Sequence, residues 1–555
     1  MPGARIALPL ARVPLLLLLA IWLLPGLIGH DPWKTDDAIG IGIAHQFANH
    51  GDWLVPRLAG EHYPDDGPLF YWIAAAFAKA LGWLMAQHDA ARLAAGACIA
   101  LTLLFLRLAG RAFAGSDSRD NAGNDKPFCC GEGAMLLLVG CIGLLVHAHE
   151  TISDTALLAG LACAYYGAAL APKRPYAAGI ALGCGMGTAF LATGLAPILP
   201  FLVALFATPL FVPDWRSRNA GIALVCALAL LLPWIVLWPA LLQARSPELF
   251  ASWLLKAGPA ALAHDPSLAA AAYTLKTLAW FAWPAWPIAL WALWLYRRKP
   301  SSAAVVLPLV ALIAGLALTT IARAPGELQL LPLLLPLALL GAQVLGDLRR
   351  GAANSLAWFG AMTFSLLGAL IWIGYLALQT GFPPRVAANA ARLEPGFVAH
   401  FAWLPVIAAA VVTLLWIALI FGSQRSPQRS VTFWTAGLAA FWALTMLLWL
   451  PWIDYGKSYR PVARAIQAKL HGHQGCIASR GLGEAQRAAF YYHANMVTER
   501  SETRARRDCQ ILLVQDNARL PEASPGASWK KLWEGNRAGD RSEKFRLYMK
   551  EQATP

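Results

Sequence analysis

Long apolar segments separated by short polar loops make up most of the chain. A transmembrane helix needs roughly 20 mostly apolar residues to cross about 30 Å of hydrocarbon. By that measure the pattern predicts about 13 spans, at residues 8–28, 91–113, 133–149, 153–172, 176–191, 194–212, 219–242, 273–296, 303–321, 328–346, 355–378, 401–421 and 431–452. We therefore expect a polytopic α-helical membrane protein.

Residues 68–85, PLFYWIAAAFAKALGWLM, decide the predicted topology. They are long enough to span, but Lys79 lies in the middle of the segment and polar stretches flank it. If the segment crossed, every later loop would change sides. If it lies along the interface as an amphipathic helix, the basic loop residues fall on the cytoplasmic side, as the positive-inside rule favours. Examples are Arg107, Lys173, Arg216 and Arg349. We adopt the interfacial alternative, which predicts a cell inner-membrane protein with a cytoplasmic N-terminus.

Composition supports the membrane interpretation and excludes one alternative. Hydrophobic residues make up 58% of the chain, charged residues only 14%, and the net charge is +14. Because much of the basic excess lies in short loops between apolar segments, it indicates topology and not a nucleic-acid partner.

The polar tail after the last apolar segment predicts a small α/β domain. Residues 460–470 have helical spacing, whereas CIAS, CQILLVQD and KFRLYMK resemble short strands. We expect a transmembrane domain at 1–452, with an extracytoplasmic first loop at 29–90, and an extracytoplasmic (periplasmic) domain at 453–555. Cys476 and Cys509 can form a disulfide only if this tail faces an oxidising compartment.

The first loop carries an acidic segment from Asp31 to Trp72. Its ionisable residues are Asp31, Asp36, Asp37, Asp52, Asp65 and Asp66, together with His45, His50 and His62. Carboxylates next to hydrocarbon are costly, so this concentration indicates a functional site or, alternatively, a solvated loop.

Two positions in this pattern suit acid–base chemistry. Asp36 precedes a helix-like run, and Asp154 precedes an apolar span in another outer connection. One carboxylate can act as general base on an incoming hydroxyl or phosphate, while the other orients the acceptor or a metal. The alternative is that both are helix N-caps, a role compatible with catalysis. His147 and His149 are two residues apart, which favours interface histidines over a metal site.

The order of short motifs in this loop resembles that of a known family. Asp36-Asp37, GDWLVP at 51–56, YPD at 63–65 and PLFYW at 68–72 resemble the first extracytoplasmic loop of ArnT-like and protein O-mannosyltransferase-like GT-C glycosyltransferases. GIALGCGMGTAFLATGLAPILP and ELQLLPLLLPLALL resemble two later spans of the same family.

The resemblance implies an outer-face transferase that moves a sugar from a polyprenyl phosphate to an acceptor. It places the catalytic acid at Asp36 and a second functional acid at Asp154. Further residues are predicted to bind substrate, and no residue is predicted as a metal ligand. The predicted substrate-binding residues are Asp37, Tyr63, Asp65, Asp66, Arg57, Lys34 and Thr193.

Three cations expected from the resemblance are missing. Ile39 stands where the family commonly has Arg, Asp66-Gly67 replaces Lys-Pro, and Thr193 replaces Lys. Each loss removes charge-assisted hydrogen bonds to a lipid phosphate. A divalent cation held by Asp residues is one predicted replacement. Another replacement is a protonated histidine or one of the outer-side cations Lys34, Arg57, Arg92, Lys256 and Arg323.

We interpret the sequence as a hexosyl- or pentosyltransferase with lipid A, protein or another envelope glycan as acceptor. The alternative is a non-catalytic GT-C-like protein that binds lipid or a partner. A transporter is disfavoured because the ionisable groups cluster in outer loops, whereas transport sites lie near the bilayer midplane.

Overall fold

The structure is a computed structural model of the 555-residue chain. It describes residues 10, 12–117, 126–258, 267–297, 302–321, 326–424, 426–470, 473, 475–501, 509–519, 521–522 and 525–551.

Helices form most of the described chain. They are α1 (Arg12–Leu23), α2 (Asp36–His50), α3 (Leu69–Leu81), α4 (Gln87–Asp117), α5 (Lys126–Val139), α6 (Leu144–His147), α7 (Asp154–Leu170), α8 (Pro175–Thr193), α9 (Leu199–Phe211), α10 (Arg218–Arg245), α11 (Pro247–Ala257), α12 (Leu268–Phe281), α13 (Ala285–Tyr296), α14 (Ala303–Thr320), α15 (Leu331–Ala342), α16 (Arg350–Thr380), α17 (Pro384–Leu393), α18 (Trp403–Gly422), α19 (Arg429–Lys457), α20 (Arg460–Lys469) and α21 (Glu484–Ala494).

Each predicted span coincides with a helix or a pair of helices. Among the described residues, seven helices are long and apolar enough to cross a membrane, and α12 and α13 make an eighth span if the pair, bent by 99°, counts as one. The remaining predicted spans are shorter apolar helices, such as α1, α7 and α15. The predicted multi-pass helical membrane fold is therefore confirmed.

The segment that decides the topology forms the short helix α3. Its 13 residues extend over about 20 Å, which is less than the hydrocarbon core. Phe70, Tyr71, Ala74, Ala75 and Ala78 are buried and recur at helical spacing on one side of α3. A short helix with one packed face fits the predicted interfacial placement.

Small residues allow the membrane helices to approach closely. A Cβ atom built on Gly160 of α7 would lie 2.5 Å from the Gly185 carbonyl oxygen of α8, and one on Gly185 would lie 2.6 Å from the Gly160 oxygen. Only glycine permits this contact, as in other membrane interfaces where dispersion drives packing. α7 forms part of the wall of the site described below, and Thr193 at the end of α8 also lines it.

The tail forms the predicted α/β domain. Its strands are β3 (Ile477–Arg480), β4 (Glu499–Arg500), β5 (Ile511–Asn517), β6 (Trp529–Gly535) and β7 (Glu543–Lys550), in the order β4-β3-β5-β7-β6. β3 is parallel to β4 and β5, whereas β7 is antiparallel to β5 and β6. Cys476 and Cys509 form a disulfide at the starts of β3 and β5. A separate small hairpin, β1 (Arg57–Leu58) with β2 (Glu61–His62), lies in the first loop.

Aromatic side chains fill the core of this domain. Tyr459, Phe490 and Phe545 contact one another edge to face and are completely buried with Leu513 and Leu547. Such pairs stabilise a small domain beyond the area that they bury. The last membrane helix, α19, ends at Lys457 and leads directly into α20.

Candidate active site

A cavity of about 690 Å³ lies between the membrane helices and the first loop. Its long wall is apolar and is built mainly by α7, α9, α14 and α15. The residues of this wall include Leu157, Leu161, Tyr165, Pro200, Phe201, Ala311, Leu318, Leu328, Pro332, Leu333 and Pro336. Its polar end is formed by Asp65, Asp66, Asp154, Thr193 and Lys256. The same cavity thus combines an apolar channel with a cluster of carboxylates.

Charge at the polar end is mostly negative. Among the described lining residues, Lys256 carries the one positive charge, and its ammonium group forms an ion pair with Asp65. Thr193 ends α8, and its hydroxyl donates a long hydrogen bond of 3.4 Å to the Ala189 carbonyl oxygen. Asp66 and Asp154 therefore have no cationic partner among the described lining residues.

The carboxyl group of Asp66 has a raised pKa. The Tyr71 hydroxyl donates a 2.7 Å hydrogen bond to its carboxylate. Burial raises the pKa of Asp66 to about 6, this hydrogen bond opposes the shift, and the charges of Asp65 and Asp36 add to it. Asp66 lines the cavity, so its interaction with Asp36 links the cavity to the start of α2.

The carboxylate of Asp36 has no hydrogen-bond or ion-pair partner among the described residues. It is the first residue of α2 and is half-buried. Its oxygens accept no hydrogen bond and join no ion pair within the described part of the chain. Burial raises its pKa, Glu150 raises it further, and His147 opposes the shift. A raised pKa with free oxygens suits a group that must take up a proton.

Helix capping does not account for the two acids. The N-cap residue of α2 is Thr35 and that of α7 is Ser153, and neither side chain accepts a capping hydrogen bond. Asp36 and Asp154 are instead the first residues of their helices, where the helix dipole favours negative charge.

Asp37 differs sharply from its neighbour. It is buried, and its carboxylate accepts hydrogen bonds from Arg92 at 2.9 Å and from the backbone and hydroxyl of Thr151 at 2.9 and 2.8 Å. Burial alone would raise its pKa, but Arg92 and these hydrogen bonds lower it to about 2. The predicted role of Asp37 in substrate binding stays a prediction, and its observed contacts join α2 to α4 and to the connection before α7.

His147 lies between two acidic residues, one close to it in the sequence and one far along the chain. Its Nδ1 lies 2.7 Å from Glu150, and its Nε2 lies 3.8 Å from Glu327, just before α15. His149, in contrast, contacts the carbonyl oxygens of Leu145 and Trp22 inside the helix bundle.

The other predicted residues are spread around the first loop. Tyr63 packs its ring edge-on against Tyr71 at 6.3 Å, and burial raises its pKa well above the usual range. Arg57 donates a 3.3 Å hydrogen bond to the Gly60 carbonyl oxygen. Lys34 forms a 2.7 Å ion pair with Glu543 of the C-terminal domain.

The candidate replacement cations also fall in different places. Of these, Lys256 lines the cavity, whereas Arg92 is buried against Asp37. Arg323 lies outside the described residues.

Sequence reasoning did not find Glu327 or the apolar wall. Glu327 is about 180 residues from His147 along the chain, and no motif links the two. The prolines of the wall are Pro197, Pro200, Pro332 and Pro336. They lie in the two later segments that resemble family spans, but the sequence did not place them beside a cavity.

The whole chain is similar to solved structures of a membrane glycosyltransferase. These are crystal structures of ArnT from Cupriavidus metallidurans, one bound to undecaprenyl phosphate and one in the apo state. Their TM-scores are 0.68 and 0.67, and each is 17% identical in sequence, with 96% of this chain and 97% of the other chain covered. No protein-family model and no curated protein sequence matches. The structural likeness confirms the predicted ArnT-like, GT-C-type fold.

Proposed function

We propose that this protein is a membrane glycosyltransferase that takes its sugar from a polyprenyl phosphate. The observation that carries the proposal is the cavity, in which an apolar channel between membrane helices ends at the carboxylates next to Asp36. The channel suits a long hydrocarbon chain, and the polar end suits the sugar and its phosphate. One of the structurally similar ArnT proteins was crystallised with undecaprenyl phosphate, which supports the same class of donor here.

Asp36 is proposed as the general base. Its free carboxylate takes the proton from the acceptor hydroxyl or phosphate, and the acceptor oxygen attacks the anomeric carbon. The bond from that carbon to the phosphate oxygen breaks as the new glycosidic bond forms, so the configuration inverts. The polyprenyl phosphate leaves with the bonding electrons, and the proton remains on Asp36.

Asp154 and Asp66 are proposed to orient the sugar. Both line the polar end of the cavity, where carboxylates accept hydrogen bonds from sugar hydroxyls or from an amino group. Tyr63, Asp65 and Thr193 complete the proposed substrate-binding set, whereas substrate binding by Asp37, Arg57 and Lys34 stays a prediction from the sequence. A divalent cation held by the carboxylates stays part of the proposal, because a negative cavity must accommodate an anionic phosphate.

Lys256 is the proposed partner of the donor phosphate. It lines the cavity near the positions where the family cations are replaced by Asp66 and Thr193. Its ion pair with Asp65 is solvent-exposed, with 53% of the Lys256 side chain accessible. An exposed pair of this kind contributes little stability, so the anionic phosphodiester of the donor can displace Asp65.

The proposed location is the inner membrane, with the cavity mouth and C-terminal domain on the outer face. The disulfide between Cys476 and Cys509 supports this orientation, because such bonds persist in oxidising compartments. Lipid A, an exported protein or another envelope glycan is the proposed acceptor.

The experiment compares envelope glycans in a deletion strain complemented with wild type or Asp36→Asn. Mass spectrometry of lipid A, surface polysaccharide and exported proteins follows every acceptor class at once. We expect one sugar to disappear on deletion and to return only with wild type. Unchanged profiles in all strains, with expression verified, would contradict the transferase proposal.

A non-catalytic lipid-binding role is the second candidate. It is favoured by the loss of the three family cations and by the neutralisation of Lys256 by Asp65. This role predicts that Asp36→Asn complements the deletion as well as wild type does.

A further inference from the structure

The segment Asp31–Thr35 leads directly into α2, which begins at Asp36. It has no regular secondary structure, so its backbone has to be held by side-chain contacts. Those contacts come from two different parts of the protein. Asp37, on the far side of Asp36, joins Arg92 and Thr151 in the membrane domain.

The near side is held by the C-terminal domain. The Lys34 ammonium group donates a 2.7 Å hydrogen bond to Glu543 at the start of β7. Glu543 is buried and also accepts hydrogen bonds from Tyr459 at 2.9 Å, Gln486 at 3.0 Å and Arg537 at 3.3 Å. Because these three donors belong to the C-terminal domain, the carboxylate is already fixed, and it presents a rigid acceptor to Lys34.

Further contacts anchor the start of the same segment. Buried Asp31 accepts hydrogen bonds from Arg460 and Ser458, and its backbone N–H donates to Asp454 at 2.9 Å. The Trp33 indole N–H donates to the same Asp454 oxygen at 2.9 Å. The segment is therefore attached at two points to the region where α19 passes into α20.

The C-terminal domain also contacts α2 and the loop after it. The Tyr491 hydroxyl of α21 donates to Gln46 of α2 at 2.8 Å. Arg487, buried in α21, donates to Glu61 at 2.7 Å. The domain consequently contacts the chain before, within and after the helix that begins at Asp36.

We propose that Glu543 is a positioning residue, which acts through Lys34 on the segment that carries Asp36. This inference rests on the proposed function, and it gives the C-terminal domain a part in catalysis beyond stability. A base misplaced by about 1 Å can lose a hundredfold in rate. In this proposal Lys34 links the membrane domain to the C-terminal domain and does not bind the donor phosphate.

Variants of Lys34 and Glu543 can distinguish an effect on the position of Asp36 from a loss of protein stability. Without Lys34, Glu543 keeps its three donors within the domain, and without the Glu543 charge the half-exposed Lys34 stays hydrated. Neither Lys34→Gln nor Glu543→Gln removes core packing, so both variants are expected to fold. An intact disulfide between Cys476 and Cys509 in non-reduced protein verifies that the domain has folded.

The first measurement needs no substrate. Hydrogen–deuterium exchange of the purified full chain follows the amides of residues 31–37. We expect exchange at least about tenfold faster in Glu543→Gln and in Lys34→Gln than in wild type, because the segment opens locally more often. The matched control is Lys531→Gln, which breaks ion pairs of 3.0 and 3.1 Å to Glu522 and Glu534 in the same domain, and it should leave this exchange unchanged.

The second measurement is transfer by membranes from complemented strains, with the donor identified by the glycan comparison. We expect Glu543→Gln to lower kcat at least about tenfold with little change in the KM for the donor. The double variant Lys34→Gln/Glu543→Gln should lose no more than either single variant, and Lys34→Arg should retain activity. If Lys34 bound the phosphate, Glu543→Gln would leave kcat intact and Lys34→Gln would raise the donor KM.

These outcomes are distinguishable from a failure of the proposed function. Unchanged exchange in Glu543→Gln would overturn the positioning contact, and faster exchange with unchanged kcat would overturn its role in catalysis. No transfer by wild type would contradict the proposed function itself, and the catalytic role of Glu543 with it, while exchange would still decide the contact.

Discussion

Neighbouring carboxylates in the first loop have opposite environments. Asp37 is ionised and fully engaged by Arg92 and Thr151, whereas Asp36 keeps free oxygens and a raised pKa. The sequence Asp36-Asp37 contains no sign of this difference, because Arg92 and Thr151 come from α4 and the connection before α7. A structure was needed to separate an anchoring acid from a candidate base.

At Lys256 we predict a loss of donor affinity. Lys256→Met removes the one positive charge among the described lining residues of the cavity. It should raise the KM for the donor roughly tenfold or more, because a hydrogen bond to a charged group is worth about 1.5–3 kcal/mol. Initial transfer rates at varied donor concentration measure this KM. Lys276→Met, an exposed lysine of α12, is the control. Equal KM values for the two variants would contradict a role of Lys256 in phosphate binding.

Asp66 should make stability fall as the pH rises from about 4 to about 6. In this range the folded protein keeps Asp66 protonated, with a pKa of about 6, while the unfolded chain has lost the proton near pH 4. The folded state then binds more protons, so raising the pH disfavours it, by at most about 3 kcal/mol. Thermal unfolding of wild type and Asp66→Asn at several pH values measures the difference.

The Asn variant should lack this component of the pH dependence. Parallel stability profiles for wild type and Asp66→Asn across this pH range would show that the carboxyl group titrates normally.

At the scale of elements, apolar length and alternation predicted most of the structure. Each predicted span corresponds to a helix or bent pair, and the predicted tail strands at CIAS, CQILLVQD and KFRLYMK overlap β3, β5 and β7. β6 was missed because Trp529–Gly535 is charged and half-exposed, and its strand geometry comes from pairing with β7. α21 was missed because its buried face forms against α2 and the sheet, which no local pattern reveals.

The disulfide should stabilise the C-terminal domain. It closes a chain separation of 33 residues, for which the loop-entropy relation gives about 3–4 kcal/mol. Cys476→Ser should therefore lower the unfolding temperature of the purified protein, and a reductant should do the same to wild type.

Cys226→Ala, a free cysteine of α10, is the control for this experiment. A Cys476→Ser variant that melts with wild type, or that still responds to reductant as wild type does, would contradict the predicted stabilisation.

At the scale of the whole molecule, the orientation follows from the placement of α3. If α3 lies along the interface, the C-terminal domain and the first loop share the outer face, and their ion pairs, such as Lys34 with Glu543, can form. A periplasmic reporter enzyme fused after residue 551 should be active, and a fluorescent protein that folds only in the cytoplasm should be dark. The reverse pattern would contradict the predicted topology.

The sequence indicated the first loop as the candidate site but not the partners of its residues. The spacing of the first-loop motifs indicated Asp36, and the position before an apolar span in another outer connection indicated Asp154. The ion pair of Lys256 with Asp65, in contrast, joins segments about 190 residues apart. Contacts at such separation depend on how the helices pack, which is why the roles of Lys34 and Lys256 became distinct only in the folded chain.

The most direct test of the central claim is the level of sugar-loaded polyprenyl phosphate in cells. Lipid extracts are compared by mass spectrometry for the deletion strain carrying wild type, Asp36→Asn or the control Asp52→Asn, whose carboxylate accepts a local hydrogen bond from Leu54. We predict that the loaded carrier accumulates and the glycosylated product disappears with Asp36→Asn, while Asp52→Asn behaves as wild type. Equal carrier and product levels with Asp36→Asn and wild type would contradict catalysis by Asp36.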